Sequence, residues 1–162
     1  MHDSIIDTEK LDNRAKILKT KTLVTKVNLL EAICFLLTLL FVYAAVSKLK
    51  DFNTFQLQLG QSPYITNFSS LLAWAVPVGE LVLAATLIYK PSRIIGLYGS
   101  LFIMSLFTAY IFSMLEFSYY VPCSCGGILS SLSWEAHLWF NIAFVCLSVA
   151  GILIKLTTSL IK

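Results

Sequence analysis

The sequence predicts an all-α integral membrane protein: a bundle of four transmembrane helices with both termini in the cytoplasm. The composition indicates a membrane because 57% of the 162 residues are apolar and only 13% are charged, whereas soluble domains have about 45–50% and about 25%. The apolar residues are also concentrated in four stretches of about 20 residues, the length that a helix needs to cross the hydrocarbon core. The net charge is only +3 and the basic residues form no single face, so nucleic acid is not an expected partner.

The four stretches cover about residues 28–47, 71–89, 94–115 and 137–156. The chain therefore divides into a polar arm (1–27), a membrane domain (28–156) and a short tail (157–162). The second and third stretches are joined only by Lys90-Pro91-Ser92-Arg93, and a proline cannot continue a helix without breaking it. We expect these two helices to form a tight hairpin, with longer loops at about 48–70 and 116–136.

The basic residues predict the orientation. Ten of the twelve lie in the arm, in the central hairpin or at the C-terminal end, and only Lys48 and Lys50 belong to the opposite side. Because cytoplasmic loops carry the excess of lysine and arginine, both termini should face the cytoplasm and both long loops the outside. This places the protein in a bacterial inner membrane, with the lipid bilayer as its surroundings.

The arm lacks the apolar core and the cleavage site of a signal peptide, so we expect the first span to act as an uncleaved start signal. Its apolar residues, such as Ile17, Leu18 and Val24, recur at weak helical spacing among lysines. Two interpretations stay open: a solvated arm that fixes the topology, or a helix lying on the anionic inner leaflet.

The second long loop carries two cysteines, Cys123 and Cys125, on the side predicted to be oxidising. Two thiols separated by one residue would close a small, strained disulfide ring, and strained disulfides are often the labile or catalytic ones. Gly126 and Gly127 give the backbone freedom beside the pair. A structural staple and a metal site are alternatives, but a metal site would need more ligands than Cys-x-Cys and His137 supply. No metal is therefore predicted.

Further residues of interest lie where the fourth stretch begins. His137 and Asn141 are four residues apart and so share one helix face. Trp134 would lie at the membrane interface, where indole is favoured. A histidine near a thiol pair can lower a thiol pKa or carry protons, but it can equally bond to water or to a carbonyl. The remaining cysteines, Cys34 and Cys146, lie among apolar residues and are interpreted as packing residues.

Glu80 is the one acidic residue near the middle of an apolar stretch. A carboxylate there costs about 2.5–3.5 kcal/mol on insertion scales, so it should face the bundle interior and have a partner. The candidate partners are Lys48 and the hydroxyl groups of Tyr43, Tyr98 and Tyr110. Glu80 then either holds two helices together through polar contacts or belongs to a proton or quinone site.

Several of these residues resemble a known family. Two segments resemble the DoxX-like superfamily of membrane proteins: residues 41–51 at the end of helix one, which include Lys48, and Pro77-Val78-Gly79-Glu80-Leu81 in helix two. The string Cys-x-Cys-Gly-Gly at 123–127, followed by Trp134, His137 and Asn141, resembles its MauE branch, the methylamine-utilisation membrane proteins. The resemblance covers residues 28–156.

The resemblance implies a four-helix protein that helps to mature a disulfide-rich periplasmic enzyme together with a thioredoxin-like partner. It also suggests similarity to membrane proteins that pass electrons between thiols and quinone. The expected activity is thus thiol–disulfide exchange, with quinone as the cofactor and a thioredoxin-like protein or folding client as the partner. Two alternatives are an accessory subunit with a structural cysteine pair, and a small subunit of a quinol-oxidising complex. The expected catalytic residues are Cys123, Cys125 and His137, and the supporting residues are Trp134, Asn141, Gly126, Gly127, Glu80 and Lys48.

Overall fold

The computed structural model describes residues 2–61, 66–117 and 133–160, which are helical almost throughout. The helices are α1 (His2–Lys50), α2 (Phe52–Gln61), α3 (Ser69–Ile88), α4 (Arg93–Phe117) and α5 (Trp134–Leu160), with single 3-10 turns at Thr66–Phe68 and Lys90–Ser92. Over these ranges there is no strand. Four of the helices, α1, α3, α4 and α5, are long and apolar enough to span a membrane. The predicted all-α class with four membrane-spanning helices is confirmed, and the orientation of the termini stays a prediction.

The four long helices form a square bundle. Helix α1 packs against α3 and α5, and α4 packs against the same two helices, so α1 and α4 lie on one diagonal. The α2 end of the bundle is where α1 and α4 end and where α3 and α5 begin. The hairpin end is the opposite one, where the turn Lys90–Ser92 joins α3 to α4.

Helix α1 is a single helix of 49 residues. Residues 1–50 contain neither glycine nor proline, so nothing in the sequence breaks it. At 1.5 Å per residue it extends about 74 Å, more than twice the hydrocarbon thickness of about 30 Å. The arm is therefore a helical extension of the first span. Its apolar side chains Ile17, Leu18 and Val24 are exposed.

The core lies on the bundle axis. On α1 the buried side chains recur every three or four residues, as on one face of a helix: Leu30, Ile33, Cys34, Leu37 and Phe41. The facing positions on the other spans include Ala84, Leu87, Leu97, Met104 and Ile152. Close helix approach depends on Gly151, since a Cβ atom there would lie 2.8 Å from Leu97 and 3.2 Å from Ile33.

The hairpin is held by side chains that bind the free carbonyls at the end of α3. The last carbonyls of any helix lack intrahelical partners. Here Ser92 Oγ donates to the carbonyls of Thr86 (2.8 Å) and Tyr89 (3.1 Å), and Arg93 Nε donates to that of Leu87 (3.1 Å). The predicted hairpin is thus present, with Pro91 in its turn.

The first long loop differs from the expectation because it contains helix α2. Phe52, Phe55, Gln56 and Leu59 follow helical spacing and are half-buried. This face packs on the start of α3: the Phe52 and Trp74 rings are 4.7 Å apart, and Gln56 Nε2 donates to Ser70 Oγ over 3.0 Å.

The two helix cysteines have different surroundings. Cys34 is 3% exposed and belongs to the core, as predicted, whereas Cys146 is exposed. The packing interpretation is therefore wrong for Cys146. The physical reason is its position on α5, where the inward face carries Asn141 and Ser148. Cys146 follows Asn141 by five residues, which turns its side chain about 140° away from that face.

Candidate functional site

A buried ion pair lies at the α2 end of the bundle. The Nζ atom of Lys48 lies 2.7 Å from Oε1 of Glu80, and the Glu80 side chain is 2% exposed. Lys48 is thus the partner that the position of Glu80 required, and it joins α1 to α3. The two charges of a buried ion pair attract each other, but both lose their hydration. The geometry of the pair therefore decides whether it stabilises the fold.

Lys48 reaches the bundle axis from the last turn of α1. Helical side chains lean toward the N-terminus of their helix, and Lys48 Nζ accordingly lies 3.4 Å from the carbonyl oxygen of Ala44. The ammonium lies 5.9 Å from the ring centre of Phe55 and 5.8 Å from that of Phe107. These distances allow cation–π attraction. The charge of Lys48 is therefore bonded to α3 and lies within cation–π range of α2 and α4.

Glu80 has a second oxygen that is not matched. Its Oε2 atom is buried and has no hydrogen-bond partner within residues 2–61, 66–117 and 133–160. Pro77, three residues earlier, is also buried inside α3. A buried carboxylate oxygen without a donor is costly and is rare in folded proteins, so this position calls for a donor from outside the described side chains.

The predicted residues of α5 lie in its first two turns. Ser133 caps the helix, since its Oγ accepts a hydrogen bond of 3.2 Å from the backbone N–H of Ala136. The rings of Trp134 and His137 are stacked with centres 6.4 Å apart. His137 is half-buried. Asn141, one turn further on, is 4% exposed.

The structure therefore joins two of the predicted residues, Lys48 and Glu80, as an ion pair, and it places His137 at the same end of the bundle, in the first turn of α5. Cys123, Cys125, Gly126 and Gly127 lie outside the described residues. They belong to the segment between α4 and α5, both of which have their adjoining ends at the α2 end. In the described parts of the chain no group of three or more metal-binding side chains occurs.

A second ion pair near the hairpin end was not predicted. Arg93 donates from Nη1 to Glu31 Oε1 over 2.6 Å and from Nη2 to Glu31 Oε2 over 2.8 Å. From its place in a short basic turn, Arg93 is expected only to fix the topology. A signal was nevertheless present, because Glu31 opens the first apolar stretch and Arg93 precedes the third, so both belong to the same end of the bundle.

Comparison with known proteins identifies the family. The model of the family described as methylamine utilisation protein MauE matches residues 26–154. This range contains the four apolar stretches but not most of the helical arm or the last residues of α5. No curated protein and no solved structure matches the chain. The match covers most of the sequence, and we conclude that the chain is a member of the MauE family of membrane proteins.

Proposed function

We propose that this MauE-family protein is a membrane thiol–disulfide exchange module that acts in the maturation of another protein. The observation that carries the proposal is the position of His137. Its imidazole is half-buried in the first turn of α5, which begins shortly after Cys125, and it stacks on Trp134. The two cysteines are close to His137 in the sequence, and an imidazole beside a thiol pair can tune the reactivity of the thiolate.

The proposed reaction is an exchange of one disulfide for another. A thiolate of a reduced partner attacks one sulfur of the Cys123–Cys125 disulfide, and the other sulfur leaves as a thiolate and takes up a proton. The second thiol of the partner then loses its proton and breaks the mixed disulfide. The partner gains a disulfide, and Cys123 and Cys125 become a dithiol; the reverse sequence would reduce the partner.

The supporting residues have separate tasks in this proposal. His137 would accept the proton from the attacking thiol or return it to the leaving thiolate. Trp134 and Asn141 would hold the first turns of α5 in place under the cysteine segment, and Gly126 and Gly127 would let that segment adapt to a thioredoxin-like partner.

The electron carrier in this proposal is quinone, which the family resemblance suggests. Its carbonyl oxygens accept hydrogen bonds, and the donors available at the α2 end are Lys48 and His137. Quinone would supply a two-electron acceptor for the dithiol. The chain itself would contribute these donors and the surrounding aromatic side chains of Phe55 and Phe107.

Trapping of mixed disulfides tests the proposal. The single variants Cys123→Ser and Cys125→Ser, expressed in the native membrane, should accumulate a mixed disulfide with a partner, visible as a band that reductant removes. Cys146→Ser is the matched control, because this exposed thiol lies outside the cysteine segment. If neither loop variant forms an adduct and every client keeps its thiol state, the protein acts as an accessory subunit with a structural cysteine pair.

A further inference from the structure

The Lys48–Glu80 pair leaves one hydrogen-bond donor and one acceptor unused. A lysine ammonium has three N–H groups, and Lys48 directs two of them to Glu80 Oε1 and to the carbonyl of Ala44. Glu80 Oε2 is buried and has no donor in the part of the chain that the structure describes. The pair is therefore incomplete: one N–H group of Lys48 has no acceptor and one oxygen of Glu80 has no donor. Each buried polar group without a partner costs free energy.

The missing group can be defined by its chemistry. It must donate to Glu80 Oε2, and its own oxygen can accept from the remaining N–H of Lys48. A neutral hydroxyl group does both, since it has one O–H donor and two lone pairs. A carbonyl or ether group supplies only an acceptor and would leave Oε2 unmatched. A second cation is disfavoured as the donor to Glu80 Oε2, because the ammonium of Lys48 beside the carboxylate would repel it.

The surroundings favour a hydroxyl group on a small or apolar molecule. Phe55 and Phe107 lie near the ammonium on α2 and α4. The Lys48 side chain is 22% exposed while that of Glu80 is 2% exposed, so the pair is approached from the lysine side. We propose that Lys48 and Glu80 form a binding site for a single hydroxyl group, which comes either from water or from an alcohol or phenol dissolved in the membrane.

This inference goes beyond the proposed function. Lys48, Phe55 and Phe107 are also the residues proposed there for quinone, but the hydroxyl site requires Glu80 and makes no use of the cysteines. A hydroxyl group at this place would also explain how a carboxylate persists there. It would join α1 and α3 through a second bridge, parallel to the direct Lys48–Glu80 contact.

The test compares phenol with anisole, which has the same ring but a methyl ether in place of the hydroxyl group. Both are added at equal concentration to the purified full chain in detergent, and the melting temperature is followed. Phenol should raise the melting temperature more than anisole does, since a ligand that binds the native state stabilises it. Glu80→Gln should abolish this difference, because the amide turns an N–H donor toward the ligand. Glu116→Gln, an exposed acid exchanged at the same end of the bundle, should keep it.

Infrared spectroscopy distinguishes the two sources. If phenol and anisole act alike, a water molecule at the site should give an O–H stretching band that shifts when ordinary water is exchanged for ¹⁸O-labelled water, and that band should be missing in Glu80→Gln. Should Glu80→Gln not fold, Glu80→Asp replaces it, because a shortened side chain keeps the charge but moves the acceptor. The proposal is overturned if phenol and anisole act alike and no water band of the unsubstituted protein is missing in Glu80→Gln.

Discussion

Arg93 holds Glu31 through two parallel hydrogen bonds, Nη1 to Oε1 at 2.6 Å and Nη2 to Oε2 at 2.8 Å. The same guanidinium donates from Nε to the carbonyl of Leu87, so one side chain joins α4 to α1 and to the end of α3. At the α2 end, Lys48 and Glu80 join α1 to α3. Each end of the bundle thus has an ion pair that includes α1.

The fork shape of Arg93 should matter more than its charge. Arg93→Lys keeps the charge but cannot bond both oxygens of Glu31 and the Leu87 carbonyl together, because an ammonium is a point donor. We expect a loss of about 1–2 kcal/mol in the free energy of unfolding, the scale of one or two ordinary hydrogen bonds, because the Glu31 side chain is 43% exposed and solvent screens the pair. Unfolding by sodium dodecyl sulfate in mixed micelles measures this loss. The control is Lys90→Arg, at an exposed position of the same turn; an equal effect of both substitutions would contradict the prediction.

The Lys48–Glu80 pair should behave as a unit. Removing one partner leaves a buried charge without compensation, which typically costs about 3–5 kcal/mol. We therefore expect Lys48→Met and Glu80→Met each to destabilise the bundle strongly. The double variant should lose less stability than the two single variants together, because it buries no isolated charge. A double-mutant cycle with the same unfolding assay measures the coupling.

The matched control for this cycle is Lys50→Met, which removes an exposed lysine from the same turn of α1. It should leave the stability nearly unchanged and should show no coupling to Glu80→Met. Strictly additive losses for Lys48 and Glu80 would mean that the pair does not act as one buried unit.

Glycine positions provide a test of the packing between α3 and α4. A Cβ atom on Gly96 would lie 2.8 Å from Thr86 Oγ1 and 3.1 Å from the Leu87 side chain, whereas one on Gly79 would have no neighbour within 4 Å. Gly96→Ala should therefore destabilise the bundle, since overpacking costs about 1–3 kcal/mol. Gly79→Ala should be neutral or stabilising by up to about 1 kcal/mol, because alanine is the better helix former. Thermal denaturation of the two purified variants compares them directly, and the reverse order would contradict the packing described here.

The sequence was most informative where a single physical demand acts on a residue. Long apolar runs have only one way to satisfy their backbone in lipid, so the four spans could be predicted. Glu80 in the middle of a span needed a partner, and Lys48 was one of four candidates. Neither inference required knowledge of how the helices are arranged around the bundle axis.

The remaining features depend on that arrangement. Arg93 in a short basic turn looks like a topology signal until α1 brings Glu31 beside it. Cys146 has apolar neighbours on both sides in the sequence, so only the packing of α5 shows that its side chain faces outward. Helix α2 is short and carries few apolar residues, and its stability comes from contacts such as Phe52 with Trp74 rather than from its own sequence.

The orientation predicted from the basic residues can be tested with single cysteines. In a background of Cys123→Ser, Cys125→Ser and Cys146→Ser, the remaining thiol is Cys34, which is buried in the core. Asn53→Cys on α2 and Lys90→Cys in the hairpin then add one exposed thiol at each end of the bundle. Because the hairpin and the arm carry most of the positive charge, Lys90→Cys should be cytoplasmic. A maleimide that cannot cross the membrane should label Asn53→Cys in intact spheroplasts and Lys90→Cys only after permeabilisation. The opposite labelling pattern would place the cysteine segment in the reducing cytoplasm, and a stable disulfide between Cys123 and Cys125 would then not be expected.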